Sequence, residues 1–103
     1  MSAKGRGTAA EHRAIRVLED AGYRVTRSAA SLGELDLVAI GVNGVRGIQV
    51  KLDSEGRYLR PSELEAVREE LRALPRPPGV VYELWVGRVV KRRFVWLRQE
   101  VVE

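Results

Sequence analysis

The chain reads as an α/β domain in which a mixed central β-sheet of about five strands is flanked by α-helices, in the order α-β-β-β-α-β-β. Three observations predict it. Apolar residues recur at helical spacing from Ala10 to Ala21, and an Asn43-Gly44 turn signal separates two apolar runs. A Pro75-Arg76-Pro77-Pro78-Gly79 breaker then divides a second helical stretch from two more strand-like runs.

Residues 1–8 carry Lys4-Gly5-Arg6-Gly7 and read as a flexible basic arm, with Lys4 and Arg6 suited to phosphates. Thr8 is a cap for a helix whose apolar stripe is Ala10, Ala14, Ile15, Val17, Leu18 and Ala21. Glu11 lies in its first turn and Gly22 supplies its stop. Residues 23–28 form a first strand, residues 29–34 a loop of small residues, and residues 35–40 a second strand. A type I′ turn with Asn43 and Gly44 at its centre sets Val42 opposite Val45, Val38 opposite Gln49 and Asp36 opposite Lys51. Residues 48–52 are the third strand. After a polar loop, Ser62 and Glu65 match a capping box for a helix reaching about Ala73. The last two strands, residues 80–86 and 89–97, are joined at Gly87-Arg88. Lys91-Arg92-Arg93 cannot all face one way on a strand, which implies a loop or bulge there. Tyr82, Trp85, Phe94 and Trp96 read as core residues and cross-strand pairs, with a dimer contact as the alternative.

At 103 residues the chain is a single domain, residues 1–103, large enough for one core without staples. It has no cysteine, which excludes a disulfide framework and a Cys-based zinc site. No apolar run approaches the roughly 20 residues of a membrane span, so no membrane partner is expected. A cytoplasmic address follows, that of the host cell if the chain is phage-encoded. The net charge of +4 permits a polyanionic partner without demanding one.

Asp36 and Lys51 are poor strand residues set inside apolar strands, and chemistry is the best reason for them. Alternation across the hairpin puts Asp36, Gln49 and Lys51 on one side of the sheet and Leu35, Leu37, Ala39, Ile48, Val50 and Leu52 on the other. A hard cation such as Mg²⁺, with Mn²⁺ as its substitute, prefers oxygen ligands. Asp36 offers a carboxylate, Gln49 an amide oxygen, and Lys51 a cation beside the water or the scissile phosphate. Glu11 reaches the same metal if the first helix packs beside the hairpin. Together these residues describe a phosphodiester-hydrolysing site.

Glu11 on the opening helix, Asp36, and Gln49-Val50-Lys51 after a hairpin resemble the PD-(D/E)XK nuclease superfamily, with glutamine where a second acidic residue usually stands. Lys4-Gly5, Ala10-Glu11, Arg13, Gly22, Arg27-Ser28-Ala29-Ala30-Ser31 and Asp36-Leu37-Val38-Ala39 are similar, in order and spacing, to the archaeal-type Holliday junction resolvases. The likeness is tight over residues 4–52. It implies a restriction-endonuclease-like fold and an Mg²⁺-dependent endodeoxyribonuclease that cuts four-way or otherwise branched DNA as a homodimer. The implied catalytic residues are Glu11, Asp36, Gln49 and Lys51, the first three as metal ligands. Lys4, Arg6, Arg13, Arg27 and Ser31 are the implied DNA contacts. Gln49 departs from the family by lacking a charge, and His12 stands where close relatives place arginine.

Plainer readings exist for each residue. Asp36 with Lys51 could be a cross-strand ion pair at a solvated edge, and Glu11 a residue favoured at a helix N-terminus by the dipole. The apolar flanks, which imply partial burial, tip Asp36 and Lys51 toward catalysis, and the family match tips Glu11. Two alternatives to the resolvase remain open: another small nuclease of the superfamily, restriction-like or in repair, and a catalytically silent DNA-binding protein of the same fold.

Overall fold

The computed structural model describes residues 3–27, 35–54 and 58–103, leaving aside the side chains of residues 3–8 and of Ser54. Its elements are α1 (Ala3–Asp20), β1 (Arg24–Arg27), β2 (Leu37–Gly41), β3 (Gly44–Ser54), α2 (Pro61–Arg72), β4 (Val80–Val90) and β5 (Arg93–Val102). The strands form one sheet in the order β1-β2-β3-β4-β5. All neighbours are antiparallel except β3 and β4, which run parallel and need the crossover that α2 provides. Among the described residues no helix is long and apolar enough to cross a membrane.

The two helices cover the two faces. Ala10, Ala14 and Leu18 of α1 pack on Leu37, Ala39, Ile48, Val50 and Trp85. Val67 and Leu71 of α2 pack on Tyr82, Leu84, Val86 and Val102. Residues 82–87 of β4 are therefore buried without a break, since both of their faces are covered. Each fully buried leucine or isoleucine, among them Leu18, Leu37, Ile48, Leu71 and Leu84, contributes about 1.5–3 kcal/mol.

Four local expectations are revised. Helix α1 begins at Ala3, so Thr8 lies inside it and Glu11 well past its first turn, away from the positive end of the helix dipole; the first N–H groups of a helix need no partner within it. Helix α2 starts at Pro61 with Arg60 at the cap and no side-chain capping bond, because proline at the first position presets φ and has no N–H to satisfy. Glu65 instead pairs with Arg68 (3.3 Å) and Arg72 (2.8 Å). Arg68 also ties α2 to β5 through Glu100, at 2.7 and 3.0 Å.

The first hairpin has Gly41 facing Gly44 and Ile40 facing Val45, so its turn residues are Val42 and Asn43. No type I′ turn forms there, because positive φ in described non-glycine residues is confined to Lys91 and Arg92. Gly44 is needed for a different reason: its φ is +147°, and a Cβ would lie 2.3 Å from the Gly79 carbonyl, which accepts the Val45 N–H at 2.8 Å.

The last hairpin turns at Lys91-Arg92 rather than at Gly87-Arg88. Gly87 sits inside β4 at a register irregularity, where the Phe94 ring occupies the place a Cβ would take (2.4 Å). The turn itself holds Lys91 at φ 50° and Arg92 at φ 66°, a left-handed backbone that costs about 1–2 kcal/mol for each non-glycine residue.

Candidate active site

Asp36 stands one residue before β2 rather than within it. Its N–H donates to the Ile48 carbonyl (2.9 Å), and its Oδ2 accepts the Val50 N–H (2.8 Å). The carboxylate thus replaces a rung of the β2–β3 ladder and is fastened to the strand that carries Gln49 and Lys51. The hairpin register sets Val38 opposite Gly47 and Leu37 opposite Ile48, so the expected pairings Val38–Gln49 and Asp36–Lys51 do not occur. The faces of Leu37, Ala39, Ile48, Val50 and Leu52 are nevertheless as expected, because a slip of two residues preserves the alternation, whereas Leu35, which precedes β2, packs in the α2 core on the opposite side. Ile48 and Val50 join the α1 core, while Gln49 and Lys51 alternate with them.

Burial is the main influence on Asp36 and raises its pKa above the ordinary 3.8; the Val50 N–H opposes it. Glu11 raises the value further, and Lys51 and Arg27 lower it. These influences place Glu11 of α1, Lys51 of β3 and Arg27 of β1 around one carboxylate. Glu11 is held in turn by Arg27, whose Nε donates to Oε1 at 2.8 Å. Arg27, expected as a DNA contact, here braces a candidate metal ligand.

Gln49 has a buried Oε1 with no hydrogen-bond partner. An orphaned amide oxygen is costly to bury and is also a hard ligand. It lies on β3 next to the Val50 N–H that holds Asp36. The donor set Asp36, Glu11 and Gln49 fits a hard divalent cation on these grounds. Among the described residues no group of three or more His, Cys, Asp or Glu side chains is arranged for a metal, in keeping with the amide at Gln49.

Of the remaining expected contacts, Arg13 is exposed on α1 with its guanidinium 4.7 Å from the Phe94 ring centroid, and His12 is exposed beside it. Ser31 lies outside the described residues, as do the side chains of Lys4 and Arg6.

Two buried acids were not singled out from the sequence. Asp53, 4% exposed, accepts the Leu59 N–H (2.8 Å) and Arg88 Nη2 (2.5 Å), while Arg88 lies over Tyr58 (4.1 Å). It clips the chain leading to α2 back onto β3. The alternation of polar residues at 49, 51 and 53 was the available signal. Glu83, 3% exposed, takes a forked pair of bonds from Arg46 (2.5 and 2.9 Å) and one from Trp85 Nε1 (2.9 Å). Nothing local to Glu83 announces its partner, which lies 37 residues away.

No family model matches the chain. A UPF0102 protein of Cytophaga hutchinsonii is 30% identical over 87 residues, covering 82% of this chain and 77% of that one. The chain belongs to the UPF0102 family. Among solved structures, this UPF0102 chain is similar to Hjc of Archaeoglobus fulgidus, a Holliday junction resolvase from an archaeal hyperthermophile. The TM-score is 0.60 at 27% identity, covering 94% of the UPF0102 chain and 73% of Hjc. The five-stranded mixed sheet with its two helices is therefore the fold of a known nuclease.

Proposed function

We propose that the chain is a metal-dependent, structure-selective DNA endonuclease that resolves four-way junctions by hydrolysing backbone phosphodiesters. The observation that carries this reading is Asp36: a half-buried carboxylate pinned to the Val50 N–H, with Glu11 and Lys51 acting on it, in a fold shared with a Holliday junction resolvase. Asp36, Glu11 and the Gln49 amide oxygen would hold Mg²⁺ or Mn²⁺. Such an ion, when bound, supplies a Lewis acid for the phosphate and a lowered pKa for water. Lys51 holds positive charge where the phosphate gains negative charge in the transition state. Arg27 keeps Glu11 oriented, and the Val50 N–H does the same for Asp36.

A pair of such chains suits a junction, since two opposed strands must be cut at a fixed separation. Exposed apolar residues on the edge strand β5 support a homodimer: Val95, Leu97 and Val101 are 45–50% exposed. Sedimentation is expected to give a dimer at micromolar concentration. A monomer both alone and on junction DNA removes the pairing.

The test of the activity is cleavage of a synthetic four-way junction beside a linear duplex of the same sequence, with Mg²⁺ and with EDTA. Symmetric nicks in the junction that need Mg²⁺ are expected. The second reading, a silent DNA-binding protein, is favoured by the absence of a third acid around Asp36 among the described residues. Gln49→Glu separates the two. Restoring a charge is expected to lower the Mg²⁺ concentration for half-maximal cleavage roughly tenfold, or about 1.4 kcal/mol. If the parent never cleaves and Gln49→Glu does, the chain is the silent form; if neither cleaves any branched DNA, the nuclease reading falls.

A further inference from the structure

A hollow of about 190 Å³ lies between α1 and the last hairpin, walled by Ala9, Ala10, Arg13, Leu52, Val89, Arg92 and Phe94. Its two charged wall residues are both arginines, and among the described residues neither makes an ion pair. Arg13 is seated on the Phe94 ring at 4.7 Å, which aims it without neutralising it. Two like charges facing one hollow repel unless an anion lies between them.

The hairpin tip adds a second, independent observation. A two-residue turn with positive φ at both positions normally takes Asn-Gly or Gly-Gly. Here it takes Lys91 (φ 50°) and Arg92 (φ 66°), both exposed, so the turn keeps two cations in a backbone they disfavour. Ala10 and Leu52 in its wall are the chain neighbours of Glu11 and Lys51, so the hollow is built on the same helix and strand, α1 and β3, as the candidate active site.

We infer that this hollow is a second phosphate seat, in which Arg13 from α1 and Arg92 from the hairpin tip grip one backbone phosphate of the DNA other than the one presented to Asp36. Lys91 steadies the neighbouring stretch of the same strand. The inference rests on the proposed nuclease reading and adds to it a place where the uncut backbone is held. Arginine suits the role, because its planar fork takes two oxygens of one phosphate.

The experiment measures binding of a labelled four-way junction over a range of salt, in EDTA so that no strand is cut. Arg13→Gln and Arg92→Gln are each expected to weaken binding about five- to tenfold. Together they should lose less than the product of the two, because both act on one phosphate. The slope of log affinity against log salt should flatten by about one. Arg76→Gln, on the breaker away from the hollow, serves as the control for net charge alone and should leave affinity within twofold.

The turn variant Lys91→Asn with Arg92→Gly is the check on folding. It restores the favoured turn, so its thermal midpoint should rise while junction affinity falls about tenfold. A parent that binds and cuts the junction beside turn and arginine variants of unchanged affinity overturns the seat and leaves the nuclease reading intact. A parent that binds no DNA at low salt overturns both. Losses equal to that of Arg76→Gln reduce the hollow to general surface charge and also overturn the seat.

Discussion

Asp36→Asn is expected to remove cleavage, by roughly a thousandfold or more, while leaving the protein at least as stable as the parent. The two effects have one cause. Burial is the largest influence on Asp36 and raises its pKa, so the charged form needed for a metal is the form the fold disfavours. Asparagine keeps an oxygen to accept the Val50 N–H and removes the buried charge. The sign follows from linkage. A carboxyl whose pKa is raised on folding favours the native state below its unfolded value, near 3.8, and that contribution is lost as pH rises through the folded value. At neutral pH the parent therefore carries a cost that the variant lacks, and the difference should vanish in acid. Mg²⁺ should raise the melting temperature of the parent and not that of the variant. Lys51→Ala should also abolish cleavage with junction binding largely kept, since contacts to other phosphates supply most of the affinity. An Asp36→Asn protein that cuts at the parental rate removes the proposed site.

Glu83→Ala is expected to cost about 3–5 kcal/mol, a large share of the roughly 5–15 kcal/mol that stabilises a domain. The side chain of Glu83 is 4% exposed, and its carboxylate neutralises Arg46 and accepts the Trp85 indole N–H. Removing it strands a guanidinium stacked near Tyr23 and Trp85, and leaves a buried N–H without a partner. An arginine guanidinium keeps its charge in proteins whatever its partner, so deprotonation offers no relief. Glu83→Gln should cost less because it retains an acceptor. Replacing both partners, as Arg46→Met with Glu83→Leu, should recover much of the loss, because no charge is then left buried alone. Urea denaturation of the set measures this. A loss below about 1 kcal/mol for Glu83→Ala would show that water reaches Arg46 freely.

Element order and the two-sided patterning of the central strands were legible in the chain because both are local. The stripe from Ala10 to Leu18 marks one face of a helix, and the alternation from Ile48 to Leu52 marks two faces of a strand, whatever lies elsewhere. That is why Gln49 and Lys51 could be separated from the core although the expected register was off. A slip of two residues returns every side chain to its own face.

Register, turn type and charge pairing depend on distant groups. The Asn43-Gly44 signal correctly marked a hairpin, but its turn lies at Val42 and Asn43, and Gly44 is instead the residue whose missing Cβ leaves room for the Gly79 carbonyl, a partner far along the chain. Gly87 looked like a turn residue because a glycine in a strand has few local reasons to be there; its reason is the Phe94 ring across the ladder. Arg27 was legible as a basic residue near the site, and only the packing of α1 against the sheet made it the brace of Glu11. The sequence by itself determined which residues could do chemistry and which faces they occupy, since side-chain type and alternation need no partner. The tertiary structure alone decided that Asp36 leaves the strand to hold the Val50 N–H, that Glu11 comes beside it, and that Glu83 is buried against Arg46. Each of those is a contact between segments far apart in the chain, and its free energy exists only once both have been brought together.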